Sequence, residues 1–343
     1  MQPGVAVYEA YHFHLLYDVV LAVAGFAIIL AACRVLAQNE PQLRARFFAL
    51  AIGLPVFGEL VAFTAYLIRP APHTPLGQAM LQFHNQCGLC ALLDEPLPLS
   101  TQPRWVLVAL LVVGLISLAR NGVGNWILGR LAASYPTFPI HSYPELQRLL
   151  NIAERHGRPL PRIAVSPHPA PLAVTVGFRQ PAIIISQGML RELNPAETET
   201  VLAHEMAHII RQDNLWNGLL MPLRDALFFL PTSHLAWRQM VISQEEACDD
   251  LTIEWTGRPL DLARALIKAG QHPQPRDMMF LTGLFLVAPF LRHTSVVERR
   301  IERIIRTHCT EGAVLPPKGR TPLAIAVQGS ILLLYALPIL LGS

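Results

Sequence analysis

Four stretches of this chain, at about 15–37, 47–68, 105–128 and 322–341, are apolar almost without interruption. Each has the roughly 20 residues that a bilayer crossing demands. Backbone groups in hydrocarbon must pair within their own segment, so each stretch is predicted to be a membrane helix. Composition agrees: 52% of residues are hydrophobic and 15% charged, and the apolar residues are gathered in runs rather than spread at amphipathic spacing. Arg120 falls inside the third run, where it is tolerable only if its side chain reaches the headgroups.

Charge sets the orientation. No basic residue precedes the first run, while Arg34, Arg44 and Arg46 follow it, so it reads as a retained span rather than a cleaved signal peptide. The same charges place the 38–46 loop in the cytoplasm and the N-terminus outside. Alternation puts 69–104 outside and 131–320 inside, and Lys318 and Arg320 before the last span agree. Three parts are expected: a membrane domain over 1–130 with three spans and an external loop at 69–104, a cytoplasmic catalytic domain over 131–320, and a C-terminal transmembrane helix over 321–343. The result is a multi-pass protein of the inner or plasma membrane. Two shorter apolar stretches, Leu215–Leu230 (broken by Pro222, Arg224 and Asp225) and Met278–Leu291, are expected to pack on the core or dip into the membrane surface.

The chemistry is concentrated in His204-Glu205-Met206-Ala207-His208. Upstream, Asn194-Pro195-Ala196-Glu197 is a helix start, with a capping Asn, Pro at the first helical position and Glu three residues past the cap. Val201, Leu202, Met206, Ile209 and Ile210 continue the helical pattern. Residues four apart share a helix face, so His204 and His208 present their imidazoles side by side, as a tetrahedral zinc requires. Glu205 is rotated by about 100° from His204. There it can take a proton from the water that zinc activates without itself being a ligand.

A third ligand is expected from Gln244-Glu245-Glu246-Ala247-Cys248-Asp249-Asp250. A Glu with an Asp four residues later could supply the ligand and a carboxylate that orients a ligating imidazole. Glu245 with Asp249 meets this spacing, and Glu246 with Asp250 meets it equally. Between these segments and the third span, Pro144–His156 has helical spacing. It is followed by β-rich runs at Arg162–Ser166, Leu172–Phe178 and Ala182–Ser186. The fold expected is thus a mainly α membrane protein of about four transmembrane helices. It carries a cytoplasm-facing, zincin-like α+β catalytic domain with a small β-sheet. That sheet is either a purely structural cover or an edge on which an extended substrate pairs.

Val201-Leu202-Ala203-His204-Glu205-Met206-Ala207-His208, with Arg211 and Asp213 after it and a later Glu-x-x-Cys-Asp, resembles the BlaR/MecR-type sensor-transducer membrane metallopeptidases. The likeness runs from about 160 to 307 and includes His293-Thr294-Ser295-Val296-Val297-Glu298-Arg299-Arg300-Ile301. Aligning Cys248-Asp249 to the family pattern selects Glu245 as the ligand, with Gln244 where the family has Arg. The resemblance implies a Zn2+ site of His204, His208 and Glu245, with Glu205 as the catalytic base and Asp249 orienting a ligand. It also implies a cytoplasmic repressor as the protein cleaved. The antibiotic sensors of that family carry a penicillin-binding domain beyond the last span, which is not seen here after 341, so a β-lactam signal is not expected.

Two other functions compete with a regulatory endopeptidase. One is a quality-control or processing protease similar to the HtpX and Ste types, which share HExxH and a later Glu. The other is a catalytically silent membrane receptor, against which the intact His204, Glu205, His208 and Glu245 argue. Cys87 and Cys90 in the external loop are expected to form a local disulfide, with sensing of redox state or metal as the sharper alternative. Cys248 reads as a small buried residue on a packed helix. Basic and acidic residues nearly balance, 27 against 24. The arginines of the Glu298–Arg306 helix read as a solvated face, so direct nucleic-acid binding is not expected. The partners implied are a protein or peptide substrate and the lipid bilayer.

Overall fold

Helices carry most of the chain, as the apolar runs require, and one small sheet sits where the β-rich runs fall. The computed structural model describes residues 13–37, 39–67, 78, 101–102, 104–139, 147–271, 294–309 and 325–333. Cys87, Cys90, Met278–Leu291 and His293 lie outside the described residues.

A two-residue strand β1 (Phe13–His14) leads into α1 (Leu15–Leu36) and α2 (Pro41–Leu67). Strand β2 (Thr101–Gln102) pairs antiparallel with β1 and precedes α3 (Arg104–Ser134). Helices α1, α2 and α3 cover the first three apolar runs, and a helical segment at 325–333 lies in the fourth. Among the described residues one helix, Val108–Ser134, is long and apolar enough by itself to cross a membrane. Its flank is strongly exposed at Leu111, Leu115 and Ile116.

The sheet has order β3-β5-β4, built from β3 (Arg162–Ser166), β4 (Ala173–Val176) and β5 (Ala182–Ser186). The central β5 runs parallel to β3 and antiparallel to β4, which leaves β4 as a free edge. Side chains on a strand alternate between faces, and β5 uses both. Ile183 and Ile185 join Leu202 and Met206 in one core cluster, while Ala182 and Ile184 join Leu128 and Ala132 of α3 in another. The last turns of α3 therefore cover the back of the sheet, and the histidine helix covers its front.

After α4 (Gln147–Arg155) and α5 (Gln187–Glu192) comes that helix, α6 (Pro195–Arg211), followed by α7 (Asp213–Ala226) and the long α8 (Pro231–Thr256). Then come α9 (Pro259–Gly270) and α10 (Thr294–Ile304), which continues as a π-turn to Cys309. Helix α7 lies along α3, and α8 along α2. A buried cluster of Ile29, Phe47, Phe48 and Ile52 with Trp237 and Met240 joins α8 to α1 and α2.

The stretch Leu215–Leu230 thus packs between the α3 helix and the catalytic core. Arg120 does not stand alone in its helix: its guanidinium donates to the Asp225 carboxylate on α7 at 3.1 Å. Ser117 and Arg224 also donate to Asp225, and Arg224 stacks 4.8 Å from the Trp237 ring centroid. Each charge in this apolar setting has a partner, which is what makes it tolerable.

Candidate metal centre

The start of α6 forms as its sequence dictates. Asn194 Oδ1 accepts from the Glu197 N–H at 2.8 Å, and Glu197 Oε2 accepts from the Asn194 N–H at 2.9 Å, closing a capping box ahead of Pro195. Lys268 reaches the same carboxylate at 2.6 Å and ties α9 to this helix. The far end of α6 is less ordinary. Gln212 adopts the left-handed conformation at φ 59, the one non-glycine residue among those described to do so. A side chain there is strained, and the bend turns Asp213 back under the histidines.

His204 and His208 stand one above the other with ring centroids 5.0 Å apart. Glu245 arrives from α8 with Oε2 at 3.4 Å from His204 Nε2 and Oε1 at 3.4 Å from His208 Nε2. These spacings test whether a metal fits. Two ligands about 2.0–2.1 Å from a tetrahedral ion stand about 3.3–3.4 Å apart. The three residues offer donor atoms that all lie within 4.8 Å of one another. Glu246 points elsewhere, paired with Arg44 of α2 and near Arg303. Asp250 pairs with Arg303 at 2.6 Å and His308 at 3.1 Å. Of the two Glu–Asp pairs that spacing allowed, only Glu245 with Asp249 faces the histidines.

Each outer ring nitrogen has a carboxylate beside it. His208 Nδ1 is hydrogen-bonded to Asp213 Oδ2 at 2.9 Å, whereas His204 Nδ1 stands 3.2 Å from Asp249 Oδ1 as a charge contact without hydrogen-bond geometry. A carboxylate on Nδ1 fixes the tautomer that leaves Nε2 free as a ligand and raises its basicity. Arg211 bonds Asp213 at 3.1 Å. Cys248 is fully buried, as expected, yet it is more than filling: Sγ lies 3.3 Å from His208 Nδ1 and 3.4 Å from Asp213 Oδ2. Burial, with the Asp213 charge beside it, pushes its thiol well above the ordinary range.

Arg300 overturns one expectation. It does not belong to a solvated helix face but is 6% exposed and points into the site. Nη1 donates to Glu245 at 2.8 Å, while Nη2 and Nε grip Asp249 at 2.7 and 2.9 Å. Its Nη2 stands 3.5 Å from His204 Nε2, which bounds the ligand set on the α10 side. The charges respond to one another. Burial opposes ionisation of Asp249, but Arg300 and His204 outweigh it and hold the carboxyl at about 2. Glu245 is lowered in the same way, against burial, by Arg300 and both histidines. Burial alone would lower His204, yet Asp249 and Glu245 push it up to about 9.

Glu205 faces the other way along α6, toward the sheet. The hydroxyl of Thr175, on the edge strand β4, lies 2.8 Å from Glu205 Oε2. A cavity of about 180 Å³ opens over this group, with β4 on one side and α7 and α8 on the other. Sequence reasoning gave no role to Thr175 or Arg300. Arg300 lies in a segment similar to the family, which was its one signal; Thr175 had none beyond its place in a β-rich run.

Paired histidines and a carboxylate in register with both make a group that could hold a metal ion, with a second carboxylate, Glu205, one residue along from His204. The profile of the family described as BlaR1 peptidase M56 matches residues 104–304, and the chain belongs to that family. It is also 29% identical over 242 residues to a protein named Protease HtpX homolog from Acaryochloris marina, covering 58% of this chain and 80% of that one. A protein of the same name from Pyrococcus furiosus is 27% identical over 242 residues, 55% of this chain and 83% of that one. The crystal structure of S. mikatae Ste24p aligns over 84% of this chain and 98% of that one, with a TM-score of 0.33 and 13% identity, a likeness too loose to bear on function.

Proposed function

We propose that the protein is a zinc-dependent endopeptidase of the membrane, with His204, His208 and Glu245 as metal ligands and Glu205 as the catalytic base. The observation that carries this is the convergence of two Nε2 atoms and one carboxylate at 3.4 Å spacings, with a carboxylate beside each Nδ1. Zinc held there would supply Lewis acidity to a water and to the scissile carbonyl. Glu205 accepts the water's proton and returns it to the leaving amine, and the Thr175 hydroxyl orients its carboxylate for both transfers. Asp213 and Asp249 position the two imidazoles, and Arg300 positions Asp249 and Glu245.

An extended peptide is the substrate form that suits the site, because β4 is a free edge beside Glu205. Pairing with that edge would hold the scissile carbonyl over the ligands. We further propose four membrane spans, an outside N-terminus, a catalytic unit over 131–320 on the cytoplasmic side and a C-terminal span over 321–343. The long, apolar α3 with its exposed flank supports the membrane assignment.

Within this chemistry two biological readings stand. Family membership and the Glu-x-x-Cys-Asp pattern favour a regulatory protease that cleaves one cytoplasmic protein, such as a repressor. The named relatives favour a processing or quality-control protease of the HtpX type at least as well. A proteome-wide comparison of cleavage products in cells with and without the protein separates them, since one defined target supports the first and many membrane proteins the second.

Zinc content and casein cleavage by purified protein test the chemistry. About one zinc per chain is expected, lost in Glu245→Ala and kept in Glu246→Ala. Glu205→Gln should keep its zinc and lose turnover; activity in that variant would overturn the mechanism.

A further inference from the structure

Two asparagines one turn apart on α7, Asn214 and Asn217, line the site cavity and are used differently. Asn214 Nδ2 donates to the Thr175 carbonyl at 3.0 Å, on the free edge of β4. Two residues on, hence on the same edge, the Gly177 N–H donates to Asn125 Oδ1 of α3 at 3.2 Å. The edge is therefore closed from the Thr175 carbonyl onward and open only on the Ala173 side. Asn217 is 9% exposed, and its amide oxygen is buried without a hydrogen-bond partner among the described residues. Buried amides are almost always paired, so an unpaired one lining a cavity calls for a ligand. The helix is pressed against the chain leaving β4 at this level: a Cβ on Gly218 would stand 2.9 Å from the Phe178 ring.

We propose that Asn217 is a substrate-binding residue that takes over where the strand edge stops. A peptide running antiparallel to β4 has its N-terminal side toward Gly177. It pairs with the edge as far as Thr175, and its next peptide group is held by the Asn217 side-chain amide. The site then reads a short N-terminal side next to the scissile bond and makes no further main-chain pairing beyond it. This rests on the endopeptidase reading and specifies which part of the substrate the enzyme senses.

The test uses the full-length, zinc-loaded protein in detergent. Cuts in casein are mapped by mass spectrometry, and peptides spanning one cut are lengthened one residue at a time on each side. Wild type should show a single rise in kcat/KM of about tenfold, the worth of one hydrogen bond, as the N-terminal side reaches Asn217, and then a plateau. Asn217→Leu should lose that rise through KM while keeping its zinc. Asn214→Ala frees the Thr175 carbonyl, so its kcat/KM should keep rising with length. Survival of the rise in Asn217→Leu, or a wild-type plateau found on the C-terminal side instead, would overturn the proposal. Should casein not be cut, binding of casein-derived peptides of graded length to Glu205→Gln by fluorescence anisotropy decides. Dependence on Asn217 would sustain the proposal while the endopeptidase reading falls, and independence would overturn it.

Discussion

Replacing Arg300 by Met isolates the group that neutralises Glu245, a proposed metal ligand, and Asp249 behind it. The arginine makes three charge-assisted contacts, at 2.8 Å to Glu245 and at 2.7 and 2.9 Å to Asp249, in a region where Asp249 is 1% exposed. Met keeps much of the side-chain volume, so the loss is electrostatic. Removing one partner of a buried ion pair costs about 3–5 kcal/mol, because the remaining charge is left uncompensated. For a unit of 150–250 residues each kcal/mol lowers the melting temperature by about 2–4 °C, which gives a fall of about 6–20 °C. The assay is thermal unfolding in detergent, with zinc removed and with zinc restored. The fall should be largest without metal, since a bound dication neutralises Glu245 from the other side.

The pH dependence carries the sign of the shift. Asp249 is held at about 2, below its ordinary value. Its stabilising contribution is present above that ordinary value and is lost as pH falls through about 2. Without the guanidinium the carboxyl titrates higher, so the metal-free variant should lose stability at a higher pH than wild type does. A metal-free Arg300→Met protein that melts with wild type, or above it, would refute the reasoning.

Other perturbations separate the parts of the site. Asp249→Asn and Asp213→Asn should each weaken zinc binding by about 10–100-fold in competition with a chelator, because each loosens one imidazole and lowers its basicity. Thr175→Val should lower kcat by about tenfold or more with zinc content unchanged, since it removes the hydroxyl that reaches the Glu205 carboxylate and backbone carbonyl and touches neither histidine nor Glu245. Asn194→Ala should lower stability by about 1 kcal/mol through loss of the cap on α6, read as a shifted melting temperature.

What could be read from sequence was local. The cap at Asn194, the pitch that aligns His204 with His208, and the β-rich run Ala182–Ser186 all follow from patterns within one element, and each recurs in the structure. The choice between Glu245 and Glu246 was of another kind. Both residues lie on the same helix and satisfy the same spacing. The family resemblance selects Glu245, and the physical reason lies in the neighbours of α8, with Arg44 of α2 drawing Glu246 away and the histidines of α6 facing Glu245. Local periodicity contains no information about which face of one helix meets which other helix.

Arg300 and Thr175 show why the rest was hidden. Arg300 is 51 residues from Asp249 in sequence, in a helix whose strongly charged composition reads as solvent-facing. An arginine on such a helix is exposed by default, and only the buried carboxylates of Asp249 and Glu245 reverse that default by making burial of a cation favourable. Two acids placed behind two histidines in a buried site require a positive partner, and the 293–301 segment, already similar to the family, held the candidates. Thr175 obeys the same logic more weakly. A carboxylate as buried as that of Glu205 needs a donor. Its helix backbone is spoken for by the helix itself, so the donor had to come from the strand packed against α6. That strand holds one hydroxyl, Thr175, within Ala173–Val176.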